Sequence, residues 1–410
     1  MTLLSVDEAR GRILSHFQAV IAEELPLMEC AYRVLAHDIS ATTELPPFDN
    51  SSMDGFALRV ADVLDATDAL PRSLRVVADI PAGMSPTISL AAGEAARIMT
   101  GAQVPHGADA VIPVEDTDFN DRDAGSRPPE SVLISRSVKS GENIRLRGMD
   151  IHTGQIVLNK GRMLKPQDLG LLAMLGQASV PVHRKARVAL FSSGNELLEV
   201  DAPLEPGKIR DSNSYMIAAL IEDAGAEAIR LGVAKDNHES VRALLEKAAH
   251  LKVDMILSSA GVSVGAFDFV KEVIEVNGTM DFWRVNMRPG KPLAFGEYRN
   301  IPFIGLPGNP VSAFVGFEVF VRAAIGKLNG SYNERRPQIR VRCAEQIDSD
   351  GRESYLRAEV NEKDGAMVAR LTGHQGSGNL HSLVQANALL IIPAGVKCVP
   401  AGQEVNAWFI

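Results

Sequence analysis

A strand, a polar loop and a long apolar helix follow one another in residues 301–325, which read IPFIGLPGNPVSAFVGFEVFVRAAI. The run Ile301–Ile304 predicts a buried strand, and Pro310 suits the first position of a helix that covers the rest of the stretch. Upstream, the apolar runs Arg187–Phe191 and Val253–Leu257 alternate with helix-like segments. Such alternation predicts a mostly parallel, doubly wound α/β sheet.

The fold class predicted for the whole chain is multidomain α/β plus β. Ser5 and Glu8 form a capping-box pattern that predicts an N-terminal helix, and a second short helix is expected over Met28–Ala36. Short apolar runs between turn-rich segments predict β structure in the second and last parts. The predicted parts are residues 1–45 with 145–180 as one discontinuous domain, 46–144 as a β-rich insert, 181–330 as the α/β domain, and 331–410 as a closed or nearly closed β domain.

Composition narrows the classes of function. The 410 residues carry 42 basic and 51 acidic side chains, a formal net charge of −9. This balance argues against a general nucleic-acid binder, which normally has a net basic surface. Cys30, Cys343 and Cys398 form no CxxC pair, so the sequence indicates neither a zinc site nor a disulfide framework. Without a signal-like N-terminus or a run of about eighteen apolar residues, we expect a cytoplasmic protein without a membrane segment.

Polar, glycine-rich loops follow three predicted strands of the α/β domain: SSGNE at 192–196, SSAGVSVG at 258–265 and GLPGNP at 305–310. Open α/β sheets bind ligands at the carboxyl ends of their strands. The last two loops run into helices, whose first backbone N–H groups attract anions. We therefore predict a phosphate site. None of these loops matches GxxxxGK[ST] or GxGxxG, which disfavours a P-loop NTPase and an ordinary dinucleotide dehydrogenase.

A stiff basic loop and several carboxylates complete the candidates. The segment NMRPGKP at 286–292 carries Arg288 and Lys291, and a stiff loop holds cations against an oxyanion at low entropic cost. An ordinary hairpin turn remains the alternative for this segment. His374 is interpreted as structural. Carboxylates suit Mg²⁺, but each is also a common helix cap or turn residue. The acidic candidates are Asp49, Asp54, Asp150, Glu196, Asp211 and Asp268.

Nine motifs, in this order, resemble those of the molybdopterin molybdenumtransferases, the MoeA-type enzymes that also form the E domain of gephyrin-like proteins. The resemblance covers essentially the whole chain, and the combination is far more specific than any single motif. The motifs are FDNSSMDGFAL (48–58), MTGAQVPHGADAVIPVE (99–115), GENIRLRGMDI (141–151), SSGNEL (192–197), DSNS (211–214), GVSVGAFD (261–268), RPGKPLAFG (288–296), GLPGNPVSA (305–313) and TGHQGS (372–377).

The resemblance implies both a layout and a reaction. Its layout is a discontinuous elongated domain, a β-rich insert, a molybdopterin-binding α/β domain and a C-terminal β-barrel, in a homodimer whose clefts are built from both chains. In the implied reaction, molybdenum from molybdate is inserted into adenylylated molybdopterin, and the adenylate is hydrolysed to give molybdenum cofactor and AMP with Mg²⁺. The implied partners are the molybdopterin adenylyltransferase and the molybdoenzymes that accept the cofactor.

The resemblance also implies roles for residues in the matching motifs. The catalytic residues would be Asp54, Thr100, Asp150, Glu196 and Asp268. The substrate-binding residues would be Ser259, Gly261, Ser263, Gly265, Arg288, Lys291, Pro307, Gly308, Asn309 and Pro310. The Mg²⁺ ligands would be Glu196, Asp211 and Asp268. This chain departs from the family's usual pattern at three positions, with Asn195 in place of an acidic residue, Ala260 in place of a glycine and Arg288 in place of a lysine.

Two other functions stay open at this point. A molybdopterin adenylyltransferase uses the same α/β fold, and a non-catalytic, gephyrin-like scaffold would use the same surface for binding. The β-rich insert with Asp54 and Thr100 favours the metal-insertion step over adenylylation. Because molybdenum is bound by the dithiolene sulfurs of the pterin, the scattered cysteines are compatible with this chemistry.

Overall fold

Two compact units make up the chain. The computed structural model describes residues 3–119, 126–259, 266–331 and 336–410, and the side chains at 266–268, 282 and 283 lie outside this description. The large unit comprises Met1–His37 and Lys160–Ile410, and the small unit comprises Asp38–Asn159. The large unit carries the predicted α/β domain, and the small unit carries most of the predicted β-rich insert.

The described elements, in chain order, are as follows. The helices are α1 Val6–Ser15, α2 Pro166–Met174, α3 Asn213–Asp223, α4 His238–His250, α5 Ala266–Asn277, α6 Pro310–Gly316, α7 Arg322–Leu328 and α8 Leu380–Val384. The first ten strands are β1 Ala22–Pro26, β2 Ile39–Ser40, β3 Asn50–Ser51, β4 Gly55–Leu58, β5 Arg72–Ile80, β6 Glu94–Ile98, β7 Ala110–Pro113, β8 Ser131–Ile134, β9 Ile144–Arg145 and β10 Ile156–Leu158. The next ten are β11 Ser179–His183, β12 Arg187–Ser193, β13 Leu197–Leu198, β14 Ile209–Arg210, β15 Glu227–Ala234, β16 Met255–Ser259, β17 Gly278–Arg284, β18 Met287–Arg288, β19 Pro292–Tyr298 and β20 Ile301–Leu306. The last are β21 Gln338–Cys343, β22 Ile347–Asp348, β23 Glu353–Lys363, β24 Ala366–Leu371, β25 Ala388–Ile392, β26 Cys398–Val399 and β27 Glu404–Phe409.

Helix α1 begins where the capping box predicts. The Ser5 hydroxyl accepts a hydrogen bond from the Glu8 backbone N–H at 3.2 Å, and the Glu8 carboxylate accepts one from the Ser5 N–H at 3.0 Å. The predicted helix over Met28–Ala36 is wrong, because a single 3₁₀ turn at Leu27–Glu29 stands there. Beyond this turn the backbone bonds to a later segment, with the N–H of Tyr32 donating to Leu164 O at 2.8 Å. A backbone N–H that donates to a distant segment cannot also form the i→i−4 hydrogen bond of a helix.

The α/β domain contains a six-stranded sheet in the order β15-β12-β16-β20-β19-β17. The first four strands are parallel, and β19 and β17 run antiparallel, so the mostly parallel sheet is confirmed. Apolar residues lie on both faces of the sheet in two separate clusters. Burial on both faces explains why strands such as β16 are continuous apolar runs rather than alternating ones.

The helix after β20 is buried almost throughout. It begins at Pro310 as α6, passes through a π-helical segment at Phe317–Val321 and continues as α7. A helix that is apolar on every side must be surrounded by protein, and this one packs into the same cluster as β12, β16 and β20. Among the described helices, none is long and apolar enough to span a bilayer.

One buried carboxylate interrupts this apolar helix. Glu318 lies in the π-helical segment with its side chain fully buried, and it accepts hydrogen bonds from Arg322 at 2.8 Å and from Arg336 at 2.7 Å. Burial raises the pKa of Glu318, but the hydrogen bonds from the two guanidinium groups outweigh burial and leave this pKa lowered. The interaction attaches the start of the C-terminal domain to the helix.

The C-terminal domain is a closed barrel. Its sheet runs β23-β24-β21-β27-β25, and β25 also pairs with β23, which closes five strands into a ring. Strand β18 of the α/β domain adds to β23 in parallel. Tyr355 and Trp408 of the barrel share one hydrophobic cluster with Leu306 and Phe314 of the α/β domain. The predicted closed β domain is thus confirmed, and it packs tightly on the α/β domain.

The small unit contains a five-stranded mixed sheet in the order β7-β4-β6-β5-β8. Strand β4 is fully buried between β6 and β7. Gly55, its first residue, has no room for a side chain, since an added Cβ would lie 1.9 Å from the Ile112 carbonyl oxygen. Close approach of two backbones therefore fixes glycine at this position.

We expect Glu318→Gln to lower the free energy of unfolding by roughly 3 to 5 kcal/mol at neutral pH, because it leaves two buried arginines short of a charged partner. A carboxylate with a lowered folded-state pKa stabilises the fold above its unfolded-state pKa and loses this contribution as pH falls. The difference between wild type and variant should therefore shrink below about pH 4.5. Urea denaturation across pH measures it.

Glu227→Gln is the matched control for this prediction. Glu227 also pairs with an arginine, Arg187, at 3.3 Å, but its side chain is 51% exposed. An exposed pair contributes little, so we expect a loss below about 1 kcal/mol. Equal losses in the two variants would show that the buried pair adds nothing beyond an ordinary surface interaction.

Candidate active site

Register between parallel strands brings the three predicted loops to one edge of the sheet. Ser192 of β12 is the register partner of Ser259 of β16, and Ser259 is the partner of Leu306 of β20. The three strands therefore end level with one another, and a cavity of about 610 Å³ opens at their carboxyl ends. The described residues that line it are Glu196, Leu197, Ile209, Arg210, Asp211, Ser212, Asn213, Ser259, Pro292, Pro307, Gly308, Asn309, Pro310 and Gly378.

Most of the predicted substrate loops that the structure describes meet in this cavity. Ser259 and the segment Pro307–Pro310 line it, together with the predicted metal ligands Glu196 and Asp211. Arg288 and Lys291 are not among its described lining residues, although Pro292 at the end of their loop is. Residues predicted from the loop motifs thus line one wall of the cavity, and the basic loop lies at the margin of the cavity.

Four predicted site residues cannot be placed in full. Gly261, Ser263 and Gly265 lie outside the described residues. Asp268 is in the first turn of α5, and its side chain is outside the description. Their predicted roles in substrate and metal binding stay predictions.

The loop after β12 holds Glu196 against a glycine. A Cβ added to Gly194 would lie 2.7 Å from Glu196 Oε2, so the carboxylate occupies the space that a side chain would need. The neighbouring Asn195 is bound to the loop after β15. Its backbone N–H donates to Asp236 Oδ2 at 3.1 Å, and its Oδ1 accepts from the Asp236 N–H at 3.2 Å. With an amide at position 195, one fewer negative charge faces Asp236 and Glu196.

The two carboxylate oxygens of Asp211 differ in their hydrogen bonding. Its Oδ1 accepts a hydrogen bond from the Ser214 N–H at 3.1 Å at the start of α3, which makes it a helix cap. Within the part of the chain that the structure describes, its Oδ2 is enclosed and has no hydrogen-bond partner, as is also true of the hydroxyls of Ser192 and Ser193. Buried oxygens without donors are rare, since each costs roughly 1 to 3 kcal/mol.

These oxygens fit a magnesium ion that binds together with substrate. Mg²⁺ usually takes one or two carboxylates and completes its shell with water and phosphate oxygens. Glu196 and Asp211 line one cavity, and Asp211 Oδ2 is unused. Among the described side chains, no group of three His, Cys, Asp or Glu residues is placed to hold a metal by itself. The donor set therefore suits an ion that also needs substrate as a ligand.

Strand pairing with the barrel fixes the basic loop. Arg352 donates to the Met287 carbonyl at 3.2 Å, and Asp350 lies 3.9 Å from Arg288 and 2.5 Å from Arg352. The hydrogen bond from Arg352 lowers the pKa of Asp350, with Arg288 contributing. Arg288 thus has a nearby counter-charge, whereas the Lys291 side chain is exposed. The alternative of a hairpin with an exposed lysine agrees with the structure, because the segment joins β17 to β19, which pair antiparallel as far as Arg284 and Pro292. Within this connection, Met287 and Arg288 also form β18 beside the barrel strand β23.

Arg357 organises the loop at 372–377 and was missed by the sequence patterns. It is fully buried in β23 and donates to the carbonyls of His374, Gln375 and Gly376 and to the Ser382 hydroxyl. Burial, and then the positive charge of Arg288, lowers the pKa of Arg357. The organised loop in turn holds GLPGNP, since Asn309 Nδ2 donates to Ser377 Oγ at 3.0 Å. In the sequence, the position of this arginine inside the apolar run SYLRAEV was the signal that could have indicated its buried role.

In the small unit, two predicted catalytic residues contact each other. Asp54 Oδ1 accepts hydrogen bonds from the Thr100 N–H and hydroxyl, both at 2.7 Å, although they are far apart in sequence. Asp49 accepts from the Arg147 N–H at 2.7 Å, a contact between segments distant in sequence rather than within a local turn. Asp150 is exposed, and its backbone N–H donates to Leu45 O. The small unit thus presents a pre-formed Asp–Thr pair.

The fold and the site define a multidomain α/β protein with a cavity at the carboxyl ends of its parallel strands. Three family descriptions match consecutive parts of the chain. Residues 4–176 match the MoeA N-terminal region (domain I and II), 189–327 a probable molybdopterin binding domain, and 340–410 the MoeA C-terminal region (domain IV). The chain belongs to the molybdopterin molybdenumtransferase family.

Curated relatives and solved structures extend over the same length. The chain is 39% identical to a molybdopterin molybdenumtransferase of Nostoc over 91% of this chain and 85% of the relative, and 38% identical to molybdopterin molybdenumtransferase 2 of Mycobacterium tuberculosis over 98% and 99%. A molybdopterin biosynthesis MoeA protein of Pyrococcus horikoshii is 31% identical, with a TM-score of 0.84 and complete coverage of both chains. The predicted family and fold class are confirmed.

Proposed function

We propose that this protein inserts molybdenum from molybdate into adenylylated molybdopterin and hydrolyses the adenylate, releasing AMP. The observation that supports this best is the cavity at the ends of β12, β16 and β20, where phosphate-suited loops and two carboxylates meet. Relatives that align along nearly the whole chain carry the name molybdopterin molybdenumtransferase.

In this proposal the large unit binds the substrate's phosphates. The backbone N–H groups at the start of α6 attract anionic oxygens, and Pro310 at its first position leaves no N–H of its own to satisfy. Ser259 presents a hydroxyl from the neighbouring strand. Glu196 and Asp211 would hold Mg²⁺ beside the phosphates, with Asp268 as a further candidate. When bound, the ion neutralises charge on the phosphate oxygens.

Molybdate would bind beside the basic loop. It is a dianion, and its affinity depends on fixed positive charge in a partly dehydrated site. Arg288 and Lys291 supply that charge, while Asp350 at 3.9 Å moderates it at Arg288. The buried guanidinium of Arg357 adds positive potential, since no carboxylate of the described residues pairs with it. The protein need supply no sulfur ligand, because the pterin carries its own.

The Asp54–Thr100 pair is proposed to serve the cleft of a second copy. We propose a homodimer with shared clefts, which takes its substrate from the molybdopterin adenylyltransferase and passes the product to molybdoenzymes. The hydrogen bonds from Thr100 to Asp54 hold these two residues together. Asp150 is proposed as a further catalytic residue on the same unit.

Two parallel incubations distinguish this proposal from the adenylyltransferase alternative. Purified protein is given either adenylylated molybdopterin with molybdate and Mg²⁺, or molybdopterin with ATP and Mg²⁺. Release of AMP with formation of molybdenum cofactor in the first reaction supports molybdenum insertion. Formation of adenylylated pterin in the second reaction, with no turnover in the first, would replace it by the adenylyltransferase. Inactivity in both, with the ligands still bound, favours a scaffold.

Glu196→Gln and Asp268→Asn should each lower Mg²⁺-dependent adenylate hydrolysis by about tenfold or more, because each removes a negative charge proposed to hold the metal or its water. Thermal melting should show an intact fold. Glu199→Gln is the matched control, since Glu199 is a nearby exposed glutamate, 4.0 Å from Arg230, that is not among the described residues lining the cavity. Wild-type rates in both site variants would remove these carboxylates from the mechanism.

Arg288→Ala and Lys291→Ala should raise the KM for molybdate by about tenfold while changing the affinity for adenylylated molybdopterin little. Raising molybdate should then partly restore turnover. Arg340→Ala serves as the control, because Arg340 is an exposed barrel arginine paired with Glu404 at 3.5 Å. Loss of pterin affinity without dependence on molybdate concentration would assign the basic loop to phosphate instead.

At molybdate concentrations well below the raised KM of Lys291→Ala, this variant and Asp54→Asn should each be nearly inactive alone, yet a mixture that exchanges subunits should regain activity. A heterodimer would contain one cleft with both lesions and one with neither. Random mixing of equal amounts should therefore give up to roughly a quarter of wild-type activity in a dimer with two independent clefts. Absence of recovery, with subunit exchange demonstrated by native mass spectrometry, would place both residues in a cleft formed by one chain.

A further inference from the structure

Asn213, the first residue of α3, joins the end of one strand to the loop that follows another. Its Nδ2 donates to Ser259 Oγ at 2.8 Å, at the end of β16, and to the Gly308 carbonyl at 2.7 Å, in the loop after β20. Both acceptors line the cavity, as Asn213 itself does. The amide nitrogen of Asn213 is therefore hydrogen-bonded both to the end of β16 and to the loop after β20.

The arrangement leaves little freedom. Asn213 is 8% exposed, and both of its amide hydrogens are used, so the two acceptors must remain within hydrogen-bond distance of one atom. Its other amide atom, Oδ1, is enclosed and has no hydrogen-bond partner among the described residues. Leaving a buried acceptor unpaired carries a cost, which the two donated bonds offset. The side chain is held by its donor side, and that side faces Ser259 and the Gly308 carbonyl.

We propose that Asn213 is a positioning residue that sets the separation between Ser259 at the end of β16 and the Gly308 loop, and that it thereby governs affinity for a ligand whose phosphates engage both. This rests on the proposed function, in which the substrate carries two linked phosphates. A ligand with one phosphate can engage either Ser259 or the Gly308 loop and adapt to its displacement. A diphosphate that spans both requires the correct separation, because a small misplacement weakens every contact made at once.

The chain offers a closely matched control in Asn329. It is 7% exposed and also makes two hydrogen bonds, donating from Nδ2 to the Gly225 carbonyl at 3.1 Å and accepting from the Ala186 N–H at 3.1 Å. Ala186 immediately precedes β12, so Asn329 lies at the opposite end of the same sheet. Its loss should cost similar stability without touching the cavity.

The experiment compares Asn213→Ala, Asn213→Asp and Asn329→Ala. Calorimetry measures binding of AMP and of adenylylated molybdopterin to the full chain, anaerobically and in EDTA so that no turnover occurs, and thermal melting is recorded for each variant. For Asn213→Ala we expect about tenfold weaker binding of the adenylylated pterin and less than about threefold weaker binding of AMP. Asn329→Ala should bind both ligands like wild type despite a comparable loss of Tm.

Asn213→Asp tests the hydrogen bonds to Ser259 and to Gly308 separately, and it is a second variant in case the alanine variant misfolds. It has the same size, and the Ser259 hydroxyl can donate to its carboxylate, but the Gly308 carbonyl is left facing an oxygen. We expect at least as large a loss of adenylylated pterin affinity as in the alanine variant. Equal losses for both ligands, or losses no greater than those of Asn329→Ala, would overturn the positioning role. Failure of wild type to bind the adenylylated pterin both in EDTA and with Mg²⁺ present would overturn the proposed function itself.

Discussion

The parallel register of β12, β16 and β20 is the constraint on which the site depends. Ser192, Ser259 and Leu306 stand side by side, so the loops that follow all begin at the same height. A slip of one residue would turn every alternating side chain to the other face of the sheet and move each loop with it. Burial of both faces makes such a slip costly, because each strand would exchange packed apolar contacts for a mismatch on both sides.

Buried charges then connect this sheet to the barrel in two different ways. Glu318 and its two arginines form a charged network within an otherwise apolar helix, whereas Arg357 is satisfied by backbone carbonyls. The first attaches the start of the C-terminal domain, and the second shapes the loop that holds GLPGNP through Ser377. The barrel therefore acts as a support for the cavity, and its strand β23 also fixes the basic loop through β18.

The two units carry different shares of the proposed chemistry. The large unit supplies phosphate-suited loops, candidate metal oxygens and positive charge, and the small unit supplies an Asp–Thr pair stabilised by its own hydrogen bonds. Each set lies within one unit. Such a division suits the clefts shared between two chains that we propose for a homodimer.

The sequence by itself determined the α/β alternation, the barrel, the N-terminal capping box and the loops at the strand ends, because these follow from local periodicity and turn chemistry. It did not determine the 3₁₀ turn at Leu27–Glu29, since the backbone there bonds to a segment more than a hundred residues later. The roles of Asn213 and Arg357 were also not predicted, although Asn213 lies in the DSNS motif and Arg357 interrupts an apolar run. Their importance comes from partners contributed by other strands and loops, and only tertiary packing brings a single side chain within hydrogen-bond distance of two distant segments.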